Sequence, residues 1–277
     1  MAKAKESGAI TTLGRGGSDL TASIIGASLN LKEIHVWKDV DGVLTADPWI
    51  IPHAKAVPQI TFEEASELAF FGAEILHPLS MKPAMDYNIP VRVRNSYNVS
   101  AMGTLISDTR RNDLAVTSLV EKSHVTLVDI KSTAMLNVPG FMAKVFNIFD
   151  EEEISVDVVA TSEVSISMTL DPSQFGGAIP EEHYTNAINK LKEFADVTTN
   201  ANMCLVSIIC KTTHSAEILG RAGIKLSQAG ITIEMASIGA SKVNLTLVIK
   251  EEDAKMAVKL LHDEFYPNYQ EARMKTN

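Results

Sequence analysis

Apolar positions change their spacing several times along the chain, and each change marks an element. Ala9 to Leu13 reads as a strand, Gly14, Gly16 and Gly17 punctuate a tight turn, Ser18 or Asp19 can cap a helix, and Ile34 to Trp37 is an apolar strand. Residues 9 to 38 thus have the size of one βαβ unit, which argues for a parallel sheet. Thr61 and Glu64 stand in capping-box spacing with Ala65, Leu68, Ala69 and Gly72 at helical intervals behind them, so a helix is predicted over 61 to 73. Pro78, Pro83 and Pro90 are expected to break the chain, and Val91 to Arg94 alternates like a strand. A polar stretch over 99 to 113, containing Arg110 and Arg111, marks a domain boundary.

The rest of the chain repeats itself. Residues 154 to 170 (ISVDVVATSEVSISMTL) align without gaps on 231 to 247 (ITIEMASIGASKVNLTL) at an offset of 77. In each copy an apolar-periodic helix (Phe141 to Phe149, then Ile218 to Leu226) leads into strand, turn and strand, and a second helix follows (Glu181 to Phe194, then Glu251 to Phe265). Two ferredoxin-like βαββαβ modules, each laying helices on one face of an antiparallel sheet, account for this half.

Composition narrows the classes. The 277 residues carry 25 Lys+Arg against 34 Asp+Glu, a net charge of −9, which speaks against nucleic acid or an anionic membrane as partner. No apolar run reaches the roughly 18 residues of a membrane span. The two cysteines, Cys204 and Cys210, share one apolar stretch and read as reduced core residues. Met1 to Ser7 has no apolar region of a leader, and the chain reads as beginning inside a domain.

Candidate chemistry gathers in a few places. Gly14-Arg15-Gly16-Gly17-Ser18-Asp19, between strand and helix, could bind an anion on backbone amides with Arg15 as a fork, or be a plain glycine turn. It is neither a Walker A loop nor GxGxxG. Lys38-Asp39-Val40-Asp41-Gly42-Val43 begins where a strand ends, the place open α/β sheets put ligands; its carboxylates and lysine suit a nucleotide with magnesium, and Asp-Gly equally suits a hairpin turn. His77 and His35 read as structural, lacking a nucleophile or metal-ligand partner at usable spacing. Ser155, Asp157, Thr161, Ser162 and Glu163 read first as a solvated strand-turn-strand, with an ammonium site as the sharper alternative.

Taken together, TTLGRGGSDLTA (11 to 22), VWKDVDGVLTADP (36 to 48), FEEASELAFFGAEILHP (62 to 78), GFMAKVFNIF (140 to 149), SVDVVATSEVSISMTLDPS (155 to 173) and GASKVN (239 to 244) resemble aspartate kinase, the lysine-sensitive plant type above all. The resemblance covers nearly the whole chain. It implies an α/β fold: the C-terminal half of an amino-acid-kinase domain over 1–112, then ACT modules over 113–200 and 201–277, interleaved so that Val116 to Val120 pair into the second module's sheet. It also implies transfer of the ATP γ-phosphoryl, with Mg2+, to the β-carboxylate of L-aspartate, the first step toward lysine, threonine and methionine. On matching positions Arg15 would hold the α-carboxylate, Ser18 would touch the substrate, Asp19 would orient the catalytic lysine and phosphate end, and Lys38, Asp39 and Asp41 would line the nucleotide. Met135, Phe141, Ser155, Asp157 and Thr161 would bind inhibitory lysine between ACT modules of a homodimer, with S-adenosylmethionine as a second effector in plant members and the plastid as location. Departures are equally definite. The family's Lys-Phe-Gly-Gly-Thr-Ser strand-loop has no counterpart here, Glu74 stands where bacterial relatives have an ATP-contacting lysine, and Cys210-Lys211 and Ile238 replace the usual Gly-Asn and Gln. A lysine-binding regulatory fragment that dimerises without catalysing is the rival expectation.

Overall fold

A computed structural model describes residues 2–3, 7–8, 10–11, 16–73, 76–110, 114–132, 140–172 and 175–267. Arg15, Glu74 and Met135 lie outside the described residues. The first half holds α1 (Gly17–Ser28), β3 (Ile34–Lys38), β4 (Gln59–Thr61), α2 (Phe62–Phe70), α3 (Pro78–Asp86), β5 (Val91–Asn95) and β6 (Thr104–Ser107). They form a four-stranded sheet in the order β3-β5-β6-β4, with β3 parallel to β5, β4 parallel to β6 and β5 antiparallel to β6. Ahead of them β1 (Ala2–Lys3) and β2 (Ile10–Thr11) pair antiparallel in a ribbon of their own. That corrects the reading of residues 9 to 38 as one βαβ unit: the short β2 satisfies its backbone groups on β1, and the parallel partner of β3 is β5.

Local signals decide the helices. Thr61 and Glu64 exchange both capping-box bonds, with Thr61 Oγ1 accepting from Glu64 N at 3.1 Å and Glu64 Oε2 accepting from Thr61 N at 2.8 Å. Helix α1 starts from Gly16 at φ 77° with no side-chain cap, so neither Ser18 nor Asp19 caps it; both sit in its first turn, where Asp19 suits the positive helix end. Pro78 and Pro83 do not break the chain as expected, for both lie in α3. Pro78 occupies the first helical position, where a missing N–H costs nothing; buried Ser80, Met81 and Ala84 hold the turn around Pro83.

The second half is one antiparallel six-stranded sheet in the order β11-β12-β10-β7-β9-β8. Its strands are β7 (Val116–Lys131), β8 (Ser155–Thr161), β9 (Ser165–Asp171), β10 (Asp196–Cys210), β11 (Met235–Ile238) and β12 (Asn244–Lys250). Helices α4 (Phe141–Glu151) and α5 (Glu181–Lys192) cover the β8-β9 end with a core of Val128, Ile130, Phe149, Ile166 and Leu170. Helices α6 (Ser215–Gln228) and α7 (Ala254–Phe265) cover the β11-β12 end with Cys204, Val206, Ile208, Leu245 and Leu247.

Strands β7 and β10 run through both ends. Val120 pairs with Ser207 and Leu119 with Ile208 at one end, Val128 with Thr199 and Ile130 with Val197 at the other. The opposite sheet face meets the first half, with Phe71, just after α2, packed among Val125, Leu127, Leu205 and Val248. Residues 203 to 210 are therefore buried on both faces, which is why they read as an unbroken apolar run.

Candidate functional site

The carboxyl ends of parallel β3 and β5 lie side by side, and the candidate residues gather there. Lys38, last in β3, is in register with Asn95, last in β5. Ser96 donates to the Lys38 carbonyl from both its N–H and its Oγ at 2.8 Å. Asp41 Oδ1 accepts from Asn95 Nδ2 at 2.8 Å and Asn98 Nδ2 at 3.1 Å, so the 38–42 turn is pinned to the 95–98 turn. Gly42, at φ 120°, packs so close to Thr104 that a Cβ would stand 2.5 Å from its Oγ1.

Asp41-Gly42 is thus not a hairpin tip. The ladder comes after it, where Val43 faces Val57 and Thr45 faces Lys55.

Asp19 Oδ2 reaches Lys38 Nζ at 3.5 Å, with the two side chains 19% and 30% exposed. The pair joins the first turn of α1 to the strand end and leaves the ammonium open to an anion. Ser18 and Asp39 are exposed beside it. His77 Nδ1 accepts from Leu79 N at 3.3 Å, capping α3, and a Cβ on Gly16 would stand 2.7 Å from the His77 Cβ. Asp41 therefore braces the loop, Asp19 and Lys38 form the open charge pair, and Asp39 is the exposed carboxylate.

The proposed effector residues are scattered within the chain. Phe141 is buried under the β8-β9 end, its ring 5.6 Å from that of Phe194. Ser155 opens β8, and Thr161 closes it, donating to the Ser165 carbonyl at 3.3 Å. Asp157 sits in a β-bulge between Val156 and Val159, where Lys122 Nζ meets its Oδ2 at 2.7 Å and Asp171 Oδ1 at 3.1 Å. Burial pushes the Asp157 carboxyl above its usual range against the pull of Lys122. Its Oδ1 is buried without a partner.

Sequence reasoning missed the cavity this residue lines. A space of about 450 Å3 opens between α2 and the sheet, walled by Glu67, Phe70, Phe71, Asp157, Asn244 and Thr246. Asn244 Nδ2 donates to Glu67 Oε2 at 3.0 Å while its Oδ1 is buried and unpartnered. Two orphaned acceptors on one cavity suit a hydrogen-bond donor. Of the departures, Cys210 is buried in the α6–α7 core and Ile238 is exposed on β11.

The profile of the amino acid kinase family matches residues 2–95, and that of the ACT domain matches 128–193 and 213–265. Aspartokinase 1, chloroplastic, of Arabidopsis thaliana is 51% identical over 268 residues, covering 96% of this chain and 47% of that protein. The chain spans about half the length of the curated relatives it matches. Aspartokinase III of Escherichia coli, solved with lysine and aspartate in a T-state, is similar at a TM-score of 0.77 and 33% identity over 94% of this chain and 58% of that one. The same enzyme, solved with aspartate and ADP in an R-state, matches at 0.77 and 34% with the same coverage. Clostridium acetobutylicum aspartate kinase is similar at 0.83 and 28%, covering 93% and 60%.

Proposed function

The chain belongs to the aspartokinase family, joining amino acid kinase sequence to ACT sequence, and on that premise we propose that it serves transfer of the γ-phosphoryl of ATP to the β-carboxylate of L-aspartate. A carboxylate oxygen bonds to the γ-phosphorus, the bond from that phosphorus to the β,γ-bridging oxygen breaks, and ADP leaves beside 4-phospho-L-aspartate. The observation that carries the reading is the convergence of the α1 N-terminus, the Asp19–Lys38 pair and the pinned 38–42 turn at the carboxyl ends of two parallel strands.

In this reading Lys38 neutralises phosphate charge, Asp19 holds that ammonium in place, and Arg15 and Ser18 bind aspartate. Such a transfer asks positioning and charge neutralisation of a protein more than covalent work. The donors near the nucleotide are carboxylate oxygens, the set Mg2+ takes; Asp39, exposed, is the one free of the bracing that occupies Asp41. Mg2+ supplies charge neutralisation on the phosphates when bound.

Lysine is the proposed effector, acting on Asp157 and its neighbours in a homodimer, with S-adenosylmethionine as the second effector. The chloroplastic relatives support a plastid location. The test is hydroxamate-trapped aspartyl phosphate formed with ATP, Mg2+ and aspartate, with and without lysine. Lysine-sensitive turnover, reduced about 100-fold or more in Asp19→Asn, is expected. Lysine binding without turnover would instead make the chain a regulatory unit.

A further inference from the structure

Away from the phosphoryl-transfer residues, the 43–57 segment meets α7 at a group of three metal-ligating side chains. His53 comes from the first half, and His262 and Asp263 come from the last helix. One donor atom from each lies within 4.8 Å of the others, the one such group of His, Cys, Asp and Glu found among the described residues. The two imidazoles stand edge to face with centroids 5.4 Å apart.

His262 makes the group more than a chance gathering. It is 1% exposed, yet its Nδ1 has no partner. Its Nε2 lies 3.0 Å from Thr45 Oγ1, which also accepts from Lys55 N at 3.2 Å. With Nε2–H given to Thr45, Nδ1 carries a buried, uncommitted lone pair, the tautomer and orientation in which a second hydrogen bond normally holds a metal-binding histidine.

We propose that His53, His262 and Asp263 bind one divalent transition-metal ion of the Zn2+ class, tying the 43–57 segment to helix α7. Two nitrogens and one carboxylate oxygen are a borderline-soft donor set that suits Zn2+ over Mg2+, and solvent completes four-coordination. Donors of a tetrahedral ion at about 2.0 Å stand roughly 3.3 Å apart, so the observed spread closes by small side-chain rotations. Both platforms are firm. Ile50 and Ile51, just before His53, are buried in the same core as Val258 and Leu261 of α7.

The test titrates the whole chain with Zn2+ under excess Mg2+ by calorimetry and substitutes Co2+ for its visible spectrum. One saturating Zn2+ per chain, d–d bands of four-coordinate Co2+ without sulfur charge transfer, and a raised Tm are expected. His53→Ala is half-exposed in the parent and should keep the fold and metal-free Tm while weakening Zn2+ about tenfold or more; Thr45→Val, which frees Nε2, should weaken it about tenfold as well. Asp263→Asn should lose affinity on the helix side. Absence of saturable binding, affinity unchanged in both His53→Ala and Asp263→Asn, or a thiolate charge-transfer band implicating Cys204 or Cys210 overturns the proposal.

Discussion

Replacing Glu64 by glutamine removes a charge where water cannot compensate the loss. Glu64 is 2% exposed and Arg110 3%, and Arg110 Nη1 lies 2.8 Å from Glu64 Oε1. The same oxygen accepts from Thr117 Oγ1 at 2.7 Å, and Oε2 accepts from Thr61 N in the capping box. Arg110 also contacts Thr117 Oγ1 and donates to the Leu114 carbonyl at 2.7 Å. The network thereby joins α2, the connection between the halves and the start of β7. Glutamine can keep an acceptor for Arg110 and Thr117 but then offers –NH2 to Thr61 N, and it leaves the guanidinium buried without its counter-charge. Breaking a buried pair from one side costs about 3–5 kcal/mol, and the lost cap adds about 1 kcal/mol.

The expected result for Glu64→Gln is a urea-unfolding loss of about 4–6 kcal/mol, or a Tm lower by on the order of 10 °C. Arg110→Met should lose a similar amount, since it strands the carboxylate. The double variant Glu64→Gln/Arg110→Met buries no charge, so it should be more stable than either single one even though the cap is gone. A loss below about 1 kcal/mol in both single variants, or losses that simply add in the double, would refute the reasoning.

Other outcomes follow from the same structure. Asp157→Asn removes a carboxyl raised by burial while leaving Lys122 paired with Asp171. A raised carboxyl contributes stability fully present below its unfolded value near 3.8 and lost as pH rises through the folded one, so the variant's urea midpoint should gain on the parent's as pH climbs from 4 to 7. A gain that shrinks over that range would refute this. Burial pushes Cys204 up to about 12 and Cys210 up to about 11, so neither thiol should react with a disulfide reagent at pH 8 until urea unfolds the chain. The stability these thiols contribute is present below about pH 9 and lost as pH rises toward 11 and 12, which an alkaline unfolding curve reads. Gly103→Ala places a Cβ 2.1 Å from the Val93 carbonyl oxygen at φ 70° and should cost at least about 1–3 kcal/mol by urea unfolding.

How much of this was legible depended on how local the cause is. The Thr61–Glu64 spacing foretold both capping bonds because they close within one turn. The repeat foretold two similar sheet ends, since each copy carries the same apolar periodicity. Arg110 read as part of a polar connection, because its buried partner Glu64 comes from a helix whose place over the connection no local pattern reports. Helix α1 escaped the capping rule for the opposite reason: Gly16 supplies a backbone conformation that a search for polar caps overlooks. The facing of His53 and His262 lies beyond any periodicity, because it needs the 43–57 segment packed on the last helix.

That packing bears on how the ACT half could reach the proposed nucleotide loop. The segment that begins at Lys38 and is pinned by Asp41 continues into Ala46, Ile50 and Ile51, which share a core with Ile218, Val258 and Leu261 of α6 and α7. Thr45 ties it twice more, accepting from Leu119 N of β7 at 2.9 Å and meeting His262. Close-packed cores shift between discrete arrangements and do not deform smoothly. A rearrangement of α6 and α7 against β10 and β12 therefore cannot leave Ile50 and Ile51 where they are, and the 38–42 turn lies within ten residues of them on the same strand-anchored segment. An effector that prefers one arrangement by about 1–3 kcal/mol shifts nucleotide affinity by the same coupling, and nucleotide shifts effector affinity in return. Nucleotide binding measured with and without lysine, and lysine binding with and without nucleotide, must then change by one factor. Unequal factors would break the thermodynamic cycle, and two factors of unity would mean that this shared core carries no signal.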